Sequence, residues 1–146
     1  MKLSKTTTYA ILALECLHTH AAETGAPMRA REVAESLGIP TDSALKVLQA
    51  LARGGLLDST LGRRGGYRPK ADARDVSLLA VIELMDGPIA AGVPATANAS
   101  SAIGVALAQA CDDLRDRLRA DLGRVTLDRL MDDASAETAT ELALAG

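Results

Sequence analysis

The residues with the clearest potential chemistry lie in one short segment that reads LGRRGGYRP. Gly62, Gly65 and Gly66 permit positive φ angles and a tight hairpin turn. Arg63 and Arg64 place two guanidinium groups at that turn. A basic, bendable loop of this kind can lie along or enter a DNA minor groove, although the same letters also fit an ordinary solvated surface turn. The elements around the segment must decide between these interpretations.

The first element is predicted to be a helix that begins at Ser4 and ends near Ala22, before Gly25 and Pro27. The Ser4 hydroxyl can cap the free N–H groups of the first turn. Apolar residues recur at spacings of three and four and define one buried stripe: Ala10, Ala13, Leu14, Leu17 and Ala21.

Two further helices follow with the pattern of a helix-turn-helix. A short helix over residues 30–37 can end at Gly38 in a left-handed cap, and Pro40 suits the first turn of the next helix. The apolar face of that next helix contains Ala44, Leu45, Leu48, Leu51 and Ala52. Its opposite face contains Asp42, Ser43, Lys46, Gln49 and Arg53. Short polar side chains in the first turn, followed by long side chains that donate hydrogen bonds, are typical of a helix that reads DNA bases. A polar helix face is also commonly an ordinary solvent-exposed surface with no ligand.

The glycine-rich segment then lies between two predicted strands. Gly54 and Gly55 end the third helix, Leu56 and Leu57 open one strand, and Tyr67 begins the return strand. The order of three helices and a two-stranded wing predicts a mainly α fold with a small β-wing, that is, a winged helix-turn-helix.

Charge is divided unequally along the 146 residues, whose formal net charge is −3. Up to Lys70 there are ten basic and six acidic residues, a balance of +4, whereas the remainder has six arginines and thirteen acidic residues, a balance of −7. This asymmetry favours a basic binding module joined to an acidic module with another role.

Enzymatic, metal-binding and membrane-spanning functions find little support. The sequence has no GxSxG, HExxH or Walker motif, and His18 and His20 lie on different faces of the first helix. Cys16 and Cys111 form no CxxC pair, so neither a disulfide framework nor a metal site is expected. No apolar run reaches the ~20 residues that cross a bilayer, and no signal peptide is recognisable, so we expect a cytoplasmic protein without membrane contact.

With these elements in place, the chain resembles the Rrf2 family of bacterial winged-helix transcription regulators, which includes the regulator of iron-sulfur cluster assembly and nitric-oxide-sensing repressors. The resemblance is carried by five motifs: MKLS with the later Tyr9-Ala10, REVAESLGIP, LKVLQALARGGLL, GRRGGYRP, and VSLLAVIELMDGP. With a long C-terminal helix these motifs cover nearly the whole chain.

The resemblance implies a homodimer that binds a pseudo-palindromic double-stranded DNA operator. The second helix of the helix-turn-helix would enter the major groove and the wing the minor groove, with half-sites near one helical turn apart. Transferred to this sequence, Ser43, Lys46 and Gln49 would contact bases, and Lys5 and Tyr9 would contact phosphates. The full predicted DNA-binding set is Lys5, Tyr9, Thr41, Ser43, Lys46, Gln49, Arg63, Arg64, Gly65, Gly66 and Tyr67.

One departure from the family concerns its cofactor. Relatives that carry an iron-sulfur cluster hold it through three cysteines between the Asp-Gly-Pro motif and the long helix, but residues 89–101 contain none here. Ser100 and Ser101 lie near the position of the last ligand, and a neutral hydroxyl is a poor ligand for such a cluster. We therefore expect a cluster-free member with no cofactor and no metal.

The acidic half is predicted to contain a long amphipathic helix from Ser101 to Gly123. By the resemblance, its apolar stripe pairs with the same helix of a second chain, and the predicted interface contains Ile103, Leu107, Cys111, Leu114 and Leu118. Cys111 is interpreted as a small interface residue, with redox sensing as the alternative. The segment after Leu130 is expected to be a frayed tail or a short surface helix.

The sequence therefore predicts a DNA-binding domain (1–88), a flexible loop (89–101), a dimerisation helix region (102–131) and a C-terminal tail (132–146). The predicted function is a sequence-specific transcriptional regulator, most simply a repressor. The alternative is a dimeric protein-interaction adaptor with weak or no DNA binding. The signal to which it responds stays open between a small-molecule effector, thiol oxidation, a partner protein and no signal at all.

Overall fold

The computed structural model describes residues 1–95 and 99–146. Its elements are α1 (Lys5–Thr24), α2 (Ala30–Leu37), α3 (Thr41–Arg53), β1 (Leu57–Thr60), β2 (Gly66–Pro69), a 3-10 turn (Ala73–Asp75), α4 (Leu78–Asp86), α5 (Ala102–Arg124) and α6 (Leu127–Ala145). The predicted mainly helical fold with a small β-wing is confirmed. Of the loop predicted over 89–101, residues 96–98 lie outside the described residues.

Short polar side chains begin four of the helices. Ser4, Ser77, Ser101 and Thr126 are N-caps, and each accepts a hydrogen bond from a backbone N–H three residues later. Helices α1 and α2 end at glycines in the left-handed conformation, Gly25 at φ 67° and Gly38 at φ 65°. The boundaries of these elements are therefore determined by local capping chemistry.

One core joins α1, α2, α3 and α4. Leu14, Leu17, Leu48 and Leu51 are almost fully buried, and Val33 of α2 packs with them. On α3 the buried residues are Ala44, Val47, Leu48 and Leu51. The predicted face of α3 omitted Val47 and wrongly included Leu45, which is 37% exposed, because Leu45 lies at the edge of the stripe that Ala44, Val47, Leu48 and Leu51 define.

Of the two alternatives predicted after Leu130, the structure has the surface helix and not the frayed tail, and this helix, α6, is longer than predicted. It continues for 19 residues from its Thr126 cap, because its alanine-rich sequence has high helix propensity. Its N-terminal end contributes to the same core, since Leu127 is buried and Met131 packs beside it. Backbone bonds from Leu78 N to the Val125 oxygen (2.7 Å) and from Leu127 N to the Val76 oxygen (3.0 Å) attach it there. From residue 132 onward every residue is exposed.

Candidate nucleic-acid interface

The polar face of α3 is open to solvent. Thr41, Lys46 and Gln49 are exposed, and Ser43 is half-buried. The opposite face of the same helix supplies four core residues, so its orientation is fixed by packing. Helix α3 therefore presents a rigid row of hydrogen-bonding side chains, as a helix that reads base edges must.

The first turns of α1 lie beside that row. Lys5 and Tyr9 of α1, and Ser43 and Lys46 of α3, line one surface depression of about 270 Å³. Lys5 and Lys46 are both exposed, whereas Tyr9 is half-buried and packs against the core. The structure thus brings together four predicted site residues that are about 40 positions apart in sequence, and two of them are cationic.

The wing places its two arginines at the turn between β1 and β2. The strands pair antiparallel from Leu57 with Pro69 to Thr60 with Gly66. Gly65 N donates to the Gly62 oxygen at 3.0 Å, so Arg63 and Arg64 are the two central residues of the turn. Arg63 and Arg64 are both exposed to solvent.

The glycines of the wing serve two different needs. Gly62 and Gly66 have positive φ values of 104° and 145°, as predicted. The prediction for Gly65 was wrong, since its φ is not positive. Gly65 is required by space instead, because a Cβ there would lie 2.3 Å from the Thr60 oxygen.

The wing is held by contacts that the sequence did not indicate. Met28 forms an isolated bridge with Tyr67, with bonds from Met28 N to the Tyr67 oxygen (3.0 Å) and from Tyr67 N to the Met28 oxygen (2.8 Å). The Arg29 guanidinium donates to the Arg63 carbonyl, and the Arg68 guanidinium donates to the Gly25 carbonyl. No periodic pattern marks a single bridge, so only the three-dimensional structure could identify these contacts.

Tyr67 and Gly66 act within this anchor. The Tyr67 ring packs against the core while its backbone pairs with Met28. A Cβ on Gly66 would lie 2.6 Å from the Met28 oxygen, so glycine permits the close approach. These two members of the predicted site hold the wing in place, whereas Arg63 and Arg64 are the members that it presents.

A second missed residue lies at the end of α4. The Asp86 carboxylate accepts hydrogen bonds from the Ser4 hydroxyl and the Thr7 hydroxyl, both at 2.7 Å. Thr7 is fully buried. The sequence contained a signal for this contact, because Asp86 belongs to the MDGP motif, but nothing in the sequence indicated its partner.

The predicted dimer interface on α5 is largely uncovered in the single chain. Ile103, Leu107 and Leu114 are 78%, 51% and 62% exposed. Cys111 and Leu118 are half-buried and line a shallow groove with the segment from Ile89 to Ala91. The buried residue of α5 is Leu122, near its C-terminal end.

The two cysteines and His18 are the remaining candidates for chemistry. Cys16 is buried on α1, with its Sγ 3.8 Å from the Met28 Sδ, and both cysteines are free. Burial lowers the pKa of His18, and the positive charge of Arg74 lowers it further. In the part of the chain that the structure describes, no group of three or more His, Cys, Asp or Glu residues could hold a metal ion, and no helix there is long and apolar enough to span a membrane.

Comparison with known families decides the relationship. Residues 3–133 match the family model described as Rrf2, iron-dependent transcriptional regulator. This chain belongs to the Rrf2 family. The family and its named members are transcriptional regulators and not enzymes.

Individual relatives agree with this assignment. The chain is 32% identical to protein aau3 of Rhizobium meliloti over 91 residues, which are 62% of this chain and 56% of that protein. It is 26% identical to the transcriptional regulator IscR of Photobacterium profundum, over 94% of this chain and 79% of that protein. The match thus spans about half the length of the first of these relatives, and most of the second.

Solved structures show the same fold. CymR, the global cysteine regulator of B. subtilis, superposes with a TM-score of 0.69 at 20% identity, over 90% of this chain and 97% of that one. A transcriptional regulator from Listeria innocua gives a TM-score of 0.73 at 20% identity, over 90% of this chain and 87% of that one. At these identities the likeness concerns the fold alone.

The residues of this chain do not fit the iron dependence in the family description. A cluster of iron and sulfide requires several thiolate or imidazole ligands that converge on one point. The two cysteines lie on different helices, the Cys16 Sγ lies beside the Met28 Sδ and the Ser36 Oγ, and the sequence from 89 to 101 supplies no thiol. The thiols of this chain therefore do not form a ligand set for an iron-sulfur cluster.

Proposed function

We propose that this chain is a sequence-specific DNA-binding transcriptional regulator that acts as a homodimer on a pseudo-palindromic operator and represses transcription. The observation that carries the proposal is the depression that joins Lys5 and Tyr9 of α1 to Ser43 and Lys46 of α3. Cationic and hydroxyl side chains on one rigid surface can bind a phosphate backbone while the adjoining helix reads bases.

Each element has a distinct part in the proposed complex. Helix α3 enters the major groove, where Ser43, Lys46 and Gln49 contact base edges. Lys5 binds a phosphate from the neighbouring depression. The wing turn inserts Arg63 and Arg64 into the minor groove, whose negative potential attracts guanidinium groups. The long side chains of this set, on Lys5, Lys46, Gln49, Arg63 and Arg64, all belong to exposed residues, whereas Ser43 is half-buried.

The proposed homodimer follows from α5. Its exposed leucine and isoleucine side chains would leave a large apolar stripe in water if the chain were alone. Pairing the same stripe of two chains about a two-fold axis covers it and sets the distance between the two α3 helices. That distance fixes the spacing of the operator half-sites.

The proposed regulator needs no iron-sulfur cluster to bind DNA. Its signal is then a small molecule, a partner protein or oxidation of Cys111. Cys111 is half-buried beside the segment from Ile89 to Ala91, so an added oxygen or a bulky adduct would alter the packing between that segment and α5.

The first test is to purify the chain anaerobically and record its visible spectrum and iron content. The same sample is incubated with genomic DNA fragments, and the bound pool is sequenced. We expect a colourless, iron-free dimer that selects a pseudo-palindromic site. A coloured protein would contradict the cluster-free proposal, and a colourless protein that selects no DNA would favour the adaptor.

The second test separates specific charge contacts from net charge. If the homodimer neutralises about six phosphates, affinity should fall on the order of 10³-fold between 50 and 200 mM salt. The double variant Arg63→Ala with Arg64→Ala should bind more weakly and with a shallower salt dependence. Its matched control, Arg124→Ala with Arg129→Ala, removes the same charge from exposed positions of α5 and α6 and should change both quantities little. Equal effects of the two double variants would contradict the proposed wing contact.

A further inference from the structure

The carboxylate of Asp86 ties the end of α4 to the beginning of α1. It accepts hydrogen bonds of 2.7 Å from the hydroxyls of Ser4 and Thr7. The same Ser4 oxygen accepts a bond of 3.0 Å from Thr7 N as the N-cap of α1. Hydrogen bonds to an ionised acceptor are short and strong, so Asp86 fixes the first turn of α1 in two places.

That first turn carries part of the proposed DNA surface. Lys5 follows Ser4 directly, and Tyr9 lies two residues after Thr7. Both line the depression that they share with Ser43 and Lys46 of α3. A shift of the first turn would therefore move Lys5 relative to α3, although Asp86 itself is not among the residues that line the depression.

The same end of α4 is attached to the acidic half. Glu83, one turn before Asp86, forms an ion pair with Arg119 of α5. It also accepts a hydrogen bond of 3.3 Å from Ile89 N, at the start of the segment that leads to α5. Helix α4 is thus bonded to α5 through Glu83 and to α1 through Asp86, which follows Glu83 by three positions.

We propose that Asp86 is a positioning residue for DNA binding, which holds Lys5 in register with α3 and links the DNA surface to α4 and α5. This inference rests on the proposed function, because DNA is the ligand for which Lys5 is positioned.

The first measurement needs no DNA. Amide hydrogen exchange is recorded for the first turns of α1 in Asp86→Ala and in the control Ser77→Ala. The control removes the bond to Ala80 N that caps α4, but it leaves the bonds of Ser4 and Thr7 intact. We expect exchange at Thr8 and Tyr9 to be about tenfold faster in Asp86→Ala and unchanged in Ser77→Ala. Equal rates in the two variants would overturn the link between Asp86 and α1.

The second measurement is DNA affinity as a function of salt, with the operator fragment selected by the wild-type homodimer. Asp86→Ala should weaken binding by about tenfold and reduce the salt slope by about one unit for each phosphate that is no longer bound. Ser77→Ala should retain the wild-type slope, because lower stability alone changes the folded fraction and not the number of phosphates bound. In a Lys5→Ala background, Asp86→Ala should reduce the slope no further.

Asp86→Asn is a second variant that tests the same role if Asp86→Ala fails to fold. Its amide retains a hydrogen-bonding group of the same shape without the charge, so affinity should lie between those of wild type and Asp86→Ala. Suppose that the DNA affinity of the wild type falls steeply with salt concentration but that the Asp86 variants match Ser77→Ala in affinity and slope. That result would overturn the role of Asp86 and leave the proposed function intact. A wild type that binds no DNA would overturn the proposed function, and hydrogen exchange would still show whether Asp86 holds α1.

Discussion

Helices α3 and α5 are both amphipathic, but only α3 has its apolar face covered within one chain. Ala44, Leu48 and Leu51 of α3 are at most 1% exposed. On α5, Ile103 and Leu114 are more than half exposed, and burial is confined to Leu122 near its end. Helix α3 is therefore covered within one chain by a core to which α4 and the start of α6 also contribute, whereas α5 has an apolar face that a second chain could cover. Substitutions on the two helices should consequently differ in their effects on stability and on assembly.

The largest expected effect comes from the core. Leu48→Ala should lower the free energy of unfolding by about 2–5 kcal/mol, because it removes a fully buried side chain and leaves a cavity. Leu107→Ala, at a position 51% exposed on α5, should cost less than about 1 kcal/mol in dilute samples where the chain is monomeric. Urea titration followed by circular dichroism measures both values. Similar losses for the two variants would show that α5 is covered within one chain.

The next largest effect is expected where the bridge between Met28 and Tyr67 holds the wing. Gly66→Ala should destabilise by about 1–3 kcal/mol, because φ is 145° there and the new Cβ would meet the Met28 oxygen at 2.6 Å. The control is Gly92→Ala, where no atom lies within 4 Å of the added Cβ. Thermal unfolding compares the two variants, and DNA affinity should fall only for Gly66→Ala. A neutral Gly66→Ala would show that the bridge between Met28 and Tyr67 does not constrain the wing.

A charge on the α5 stripe should weaken the proposed homodimer. Leu114→Asp introduces a carboxylate at a position 62% exposed in the single chain, and the dimer would bury it on both protomers. We expect the dimer dissociation constant to rise by about tenfold or more, equivalent to about 1.4 kcal/mol. The control Ala120→Asp adds the same charge at an exposed position of α5 that is not on the predicted stripe. Analytical ultracentrifugation measures both, and a dimer unaffected by Leu114→Asp would place the interface elsewhere.

Local chemistry in the sequence was sufficient for most of the fold. Ser4, Ser101, Gly38 and the paired glycines at 54 and 55 marked element ends through capping, and the structure places helix and strand ends within about two residues of them. Predictions from a helical repeat were less reliable at the edges of the stripe, as Leu45 and Val47 illustrate. Edge positions are decided by which neighbour packs there, and that information is not local.

The candidate site divides in the same way. The residues that we propose to contact DNA, such as Lys46 and Arg63, were chosen from their types and their place on an element, and that choice stays a prediction. The residues that hold them could not be chosen in this way: Arg29 reaches the wing turn across 34 positions of sequence, and Asp86 reaches Ser4 across 82. Contacts between distant positions carry no periodicity, so positioning residues are the part of the site that required the structure.

The smallest expected effect concerns His18, at the junction between the two halves. Its pKa is lowered from 6.5, first by burial and then by the charge of Arg74, while Asp128 of α6 acts in the opposite direction. A buried Nε2 without a hydrogen-bond partner is consistent with a neutral ring. Between the lowered folded value and 6.5 the unfolded chain binds more protons, so the free energy of unfolding must fall as the pH falls through this window.

The stability that a neutral His18 contributes is therefore fully present above about pH 6.5 and is lost as the pH falls through the folded value. His18→Gln removes this titration but retains a polar side chain. We expect the difference in unfolding free energy between wild type and His18→Gln to shift in favour of the variant as the pH is lowered from about 7.5 to about 5.5. If the two curves of unfolding free energy against pH are parallel, the pKa of His18 is the same in the folded and unfolded chain. Burial of His18 where α1 contacts α6 would then not disfavour its protonated form.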